Sequence, residues 1–70
     1  MKEIKENHTV ALLKDISSEN LYRGDVGAVV SDLSDTMAEV EFVDVKGRTT
    51  ALVALKKKDL MRLRFETVSA

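Results

Sequence analysis

Cysteine, proline and tryptophan are absent from this 70-residue sequence, and histidine occurs once, as His8. Without cysteine there is no disulfide framework, no thiolate metal site and no redox motif. No apolar run approaches the roughly 20 residues needed to span a bilayer, so no membrane association is expected. The segment from Met1 to Asn7 lacks the apolar centre of a signal peptide, which makes cytoplasmic residence the default expectation. A basic excess is also missing: 11 Lys and Arg face 12 Asp and Glu, for a net charge of −1. Dedicated nucleic-acid binders draw most of their affinity from such an excess. Aromatics are scarce, only Tyr22, Phe42 and Phe65. That shortage argues against an aromatic groove for Pro-rich peptides and against a stacking platform for single strands.

Chemistry-bearing constellations are lacking too. His8 has no cysteine or second base to work with, and Ser17, Ser18, Ser31 and Ser34 lack triad partners. Asp32, Asp35 and Asp44 fall in turns without calcium-loop spacing. Gly24-Asp25-Val26-Gly27 lacks the Lys-Ser/Thr that would complete a phosphate loop. No enzymatic activity, metal or cofactor is expected.

What remains is a composition of 44% hydrophobic and 33% charged residues. That suits one small folded domain. Its core is small, so stability should be about 3–5 kcal/mol. Residues 1–7 read as a loose lead-in, 8–65 as the domain and 66–70 as a tail. Strand signals run in sequence. Residues 9–13 form a short apolar run. A long polar loop follows over 14–24, anchored by Ile16, Leu21 and Tyr22 and holding one helical turn near Ser18-Glu19-Asn20. Residues 26–31 form a second strand after Gly24. Met37-Ala38-Glu39-Val40-Glu41-Phe42-Val43 is the clearest strand, with Ala38, Val40 and Phe42 on one face and glutamates on the other. Asp44 to Arg48 makes a hairpin with Gly47 in the left-handed conformation. Residues 49–55 are the fourth strand. One helical turn over 56–60 precedes a last strand over 61–65, where Met61, Leu63 and Phe65 alternate with Arg62 and Arg64.

Five short strands, a long first loop and a single helical turn before the last strand give the order of an all-β, SH3-like small barrel. Curling so small a sheet covers its edges and its core face. The inward set is then Val10, Leu12, Val26, Ala28, Val30, Ala38, Val40, Phe42, Ala51, Val53, Leu55, Leu60, Leu63 and Phe65. A small open-sheet dimer is the competing fold. Ala51-Leu52-Val53-Ala54-Leu55 is apolar on both faces. Either the 14–24 loop folds over its second face, or that face contacts a partner.

The stretch from His8 to Leu63 resembles a family of small bacterial proteins, often cyanobacterial, described only as a domain of unknown function. The matching residues are Leu12-Leu13-Lys14-Asp15, Leu21 to Val30, Ala38 to Asp44, Gly47-Arg48-Thr49, Ala51-Leu52 and Leu55. The resemblance implies an SH3-like fold, and some members look like the antidote half of toxin–antitoxin pairs. Arg23 to Val30 also looks like the short Gly-containing motif of ribosomal and transcription-elongation SH3-like domains.

Two binding roles follow. In the first, the chain is a non-enzymatic protein-interaction module, antitoxin-like or accessory, that masks a protein partner or a second copy of itself. Its candidate contacts are Leu21, Tyr22, Arg23, Lys46, Arg48, Thr50, Leu52 and Ala54. In the second, it is an RNA-associated barrel or a structural subunit of a complex, with Lys56, Lys57, Lys58, Arg62 and Arg64 as the nucleic-acid contacts. Convergence of those basic residues on one face would favour the second.

Overall fold

The computed structural model describes residues 3–64. Phe65 and the 66–70 tail lie outside the described residues. Five strands are present: β1 Thr9–Leu12, β2 Val26–Asp32, β3 Met37–Val43, β4 Thr49–Lys56 and β5 Leu60–Leu63. They form one antiparallel sheet in the order β4-β3-β2-β1-β5. The fold is all-β. Its only helical elements among the described residues are two 3₁₀ turns, Ser17–Glu19 in the first long loop and Lys57–Asp59 directly before β5.

β3 behaves as its alternation predicts. Ala38, Val40 and Phe42 are buried, while Glu39 and Glu41 lie half-buried on the outer face. Inward rows cross the sheet through it. Val10, Gly27, Phe42 and Ala51 are cross-strand neighbours, as are Val29, Val40 and Val53. Leu12 meets Leu60 at the other end.

β2 overturns the expected parity. Val26 and Val30 are exposed, and Gly27 and Val29 face the core. The run Val26 to Val30 is apolar on both faces, so its own pattern does not choose. The choice is made by Phe42, which needs an opposite residue with no side chain and finds it in Gly27. A bulge between Val29 and Ser31 leaves Val30 out of the ladder. β5 is also inverted: Leu60 and Arg62 share the side of Leu12 and Val10, while Met61 and Leu63 lie on the outer face with Ala11 and Thr9. Leu63 is therefore no core residue; the strand begins one residue earlier than predicted, at Leu60.

The lead-in is docked rather than loose over its described part. Ile4 is 1% exposed, inside the core cluster. A tight turn returns the chain to the sheet: His8 N–H donates to Lys5 O at 3.1 Å, and Lys5 N–H donates to His8 Nδ1 at 2.9 Å. Asn7 N–H then reaches Val29 O at 2.9 Å. The charged residues around Ile4 point to solvent, which is why the segment looks polar in sequence.

The 14–24 loop is a folded finger. Ile16 and Leu21 pair across it, with Leu21 O accepting from Ile16 N–H at 2.7 Å. Asp15 accepts from Arg23 N–H at 2.8 Å, and Asp25 from Tyr22 N–H at 2.9 Å. Gly24, at φ +94°, donates to Leu12 O and ties the finger to β1. Its apolar anchors, Ile16 and Leu21, pack on the core. They do not cover the second face of β4, where Leu52 stays 53% exposed.

Candidate functional site

The outer face of the sheet carries the features that the core does not explain. Its residues come from all five strands through the register. Leu63, Thr9, Ala28, Glu41 and Leu52 make one row across the sheet, and Met61, Ala11 and Val26 make a second. Met61, Val26, Val43 and Leu52 are 45%, 48%, 50% and 53% exposed. Leu52 and Ala54 lie opposite Glu41 and Glu39, so the face mixes exposed aliphatics with two carboxylates.

Several predicted contacts are on this face or at its margin. Thr50, Leu52 and Ala54 are exposed on β4, while Ala51, Val53 and Leu55 turn to the core. Thr50 is held in place by its hydroxyl, which donates to Phe42 O at 3.2 Å. Tyr22 and Arg23 are exposed, and their backbone is fixed by the two aspartates of the finger. Leu21 must be removed from the contact set: it is 4% exposed and belongs to the core. The finger alternates here, so the inward turn of Leu21 is what presents Tyr22 outward. A groove of about 400 Å³ joins the finger to β4, lined by Asn20, Asp25, Val26, Val43 and Thr50 among others. Val26, Val43 and Met61 were not predicted as surface residues. Val43 could have been found, since it follows the inward Phe42 and must point away from it.

Lys46 and Arg48 sit on the β3–β4 hairpin, whose organiser is Asp44. Its carboxylate accepts from Lys46 N–H at 2.8 Å, Arg48 N–H at 3.0 Å and Arg48 Nε at 3.1 Å. Gly47 is left-handed at φ +80°, as predicted. The Arg48 backbone amide, first of all, holds the Asp44 carboxyl below the ordinary aspartate value; desolvation opposes it as the next largest influence, and the Lys46 amide and the Arg48 side chain add to the lowering. A carboxyl depressed by folding stabilises the fold fully above its unfolded value, and that contribution is lost as pH falls through its folded value. Asp44→Asn should therefore be less stable than the parent at neutral pH, and the two should converge in acid. Urea midpoints measured from pH 7 to pH 2 check this; a constant difference would refute it.

The five basic candidates are split. Lys56, Lys57 and Lys58 line one groove of about 600 Å³ with Asp35, Thr36 and Met37. Lys57 is already neutralised there by Asp32, its side chain only 13% exposed. Arg62 is half-buried opposite Val10 on β5, and Arg64 follows it, exposed. Among the described residues no three His, Cys, Asp or Glu gather as a metal site would require. No helix there is long and apolar enough to cross a membrane.

Residues 6–62 match the family described as a domain of unknown function (DUF4926), and the chain belongs to that family. No curated protein and no solved structure matches it.

Proposed function

We propose that this member of the DUF4926 family is a non-enzymatic, SH3-like protein-interaction module of the bacterial cytoplasm. It acts by covering a partner protein, as an antitoxin or accessory subunit does. The strand order, with β1 between β2 and β5, supports the SH3-like reading, as do the long first loop and the 3₁₀ turn before β5. Fold alone does not assign function in this class of barrel.

The observation that carries the function is the exposed aliphatic outer face, with Leu52 at its β4 end and Met61 at its β5 end. Val26, Val43, Leu52 and Met61 stay exposed on this face among polar residues such as Thr9 and Glu41, and exposed apolar groups rimmed by polar ones support an interaction surface. So small a domain also buries little area alone, and association adds to it. The mechanism is steric: the outer face and the exposed Tyr22-Arg23 tip contact the partner, with Lys46 and Arg48 at the rim.

The test is capture of partners from nuclease-treated lysate with the wild type and with Leu52→Lys. Lysine at 52 faces Glu41 across the strands, a compatible pair. Its stability should stay within about 0.5 kcal/mol of the parent. The expected result is one stoichiometric protein retained by the wild type and lost by the variant. Recovery of RNA instead, when nuclease is omitted, with steep salt dependence, would replace this function with the RNA-associated one; the clustering of Lys56, Lys57 and Lys58 in one groove is what would favour that outcome.

A further inference from the structure

We propose that the open edge of β4 takes up an extended segment of the partner as a sixth strand, and that this segment is acidic at both ends with an uncharged centre. This rests on the protein-interaction function above and names the chemistry of the partner. The two edges of the sheet are built differently. β5 is four residues long, carries Arg62 and is followed by Arg64. Short length and positive charge are the usual devices that keep an edge from pairing with another chain. β4 has neither. It is eight residues long, it pairs only with β3 among the described residues, and Thr49 to Leu55 holds no charge and no proline. An edge of that kind leaves a row of main-chain N–H and C=O groups free to pair.

The core also surfaces at this edge. Val40 and Phe42 on β3 are 0% and 3% exposed, yet their β4 neighbours Val53 and Ala51 are only half-buried. A strand laid beside β4 would finish burying them.

Charge identifies the occupant. Lys46 and Arg48 stand before β4, and Lys56, Lys57 and Lys58 end or follow it. Arg48 is paired with Asp44 and Lys57 with Asp32. Lys46, Lys56 and Lys58 form no ion pair among the described residues. Among the described residues, Asp35 is the one carboxylate lining the groove that Lys56 and Lys58 share. A second copy of β4, in either direction, would set these cationic ends against cationic ends. A strand with glutamate or aspartate beyond an uncharged centre meets them with opposite charge.

The probes are three nine-residue peptides. The first has alternating threonine and valine with two glutamates at each end, the second has lysines in their place, and the third is the glutamate peptide N-methylated at its central amides. Binding to the full chain is titrated, and hydrogen exchange is followed at β4. The glutamate peptide should slow exchange within Thr49 to Leu55 and bind at least about tenfold tighter than the lysine peptide. N-methylation should abolish binding, since it removes the main-chain donors. Equal affinity for the lysine peptide, or binding that leaves β4 exchange unchanged, would overturn the proposal. So would a dimer of the free chain with β4 already protected, which assigns the edge to a second copy. A lysate partner that binds with β4 still exchanging freely would remove the edge proposal and leave the interaction function standing.

Discussion

Gly27→Ala should cost about 3 kcal/mol, at the upper end of the range for overpacked cores, and so bring the domain to the margin of folding. A Cβ at this position would lie 2.8 Å from the Glu41 carbonyl oxygen, 2.8 Å from Val40 Cγ1 and 2.9 Å from Phe42 Cδ1. Side chains can yield by changing rotamer, but the carbonyl belongs to β3, the neighbouring strand. Moving it means opening the β2–β3 ladder on which the inward rows depend. Since a domain of this size holds about 3–5 kcal/mol in total, thermal or urea melts of the variant should show a largely lost transition. Gly24→Ala is the control. Gly24 has open space around its Cβ position but sits at φ +94°, so it should lose only about 1 kcal/mol to backbone strain. Equal losses at the two sites would refute the steric account of Gly27.

Ile4→Ala should destabilise by about 2–4 kcal/mol, the usual result of emptying a fully buried aliphatic site. Ile4 is 1% exposed and sits in the same cluster as Leu12, Val29 and Leu60. Ile4→Val should cost about 1 kcal/mol, which separates loss of volume from loss of the segment. If Ile4→Ala melted with the parent, the lead-in would contribute nothing to the core.

These two residues also mark what the sequence could and could not disclose. β3 was legible because Glu39 and Glu41 break its apolar run at strand period. The 44–48 hairpin was legible because Asp44 and Gly47 are both needed by one local turn. Local chemistry sufficed in each case. Ile4 and the parity of β2 were not legible, because each is settled by a residue distant in sequence. Ile4 stands alone among charged neighbours and gives no period, and Gly27 owes its inward position to Phe42. β5 misled for a related reason: Met61 and Leu63 alternate with arginines as a core strand would, yet that alternation serves the outer face, and Leu60 is the residue that enters the core. At the candidate site, Leu52 and Ala54 were recognisable as one face of an all-apolar strand. Which face the core would take depended on the pairing of β4 with β3. Leu21 and Tyr22 could not be told apart by hydropathy; only the Ile16–Leu21 pair across the finger decides which one turns inward.

The place of β1 in the sheet governs how the chain reaches this structure. β1 is made first, yet it lies between β2 and β5 and aligns Thr9 with Leu63, about 50 residues away. Ladders β2–β3 and β3–β4 close over neighbouring hairpins and can form early. The β1–β5 ladder is a long-range closure whose entropy is met only at the end. Leu60, fully buried beside Leu12, arrives with that last strand. Folding should therefore run on the millisecond-to-second scale typical of such topologies. During synthesis the core stays open until residue 63 has emerged, and until then Leu12 and its neighbours have only part of their cover.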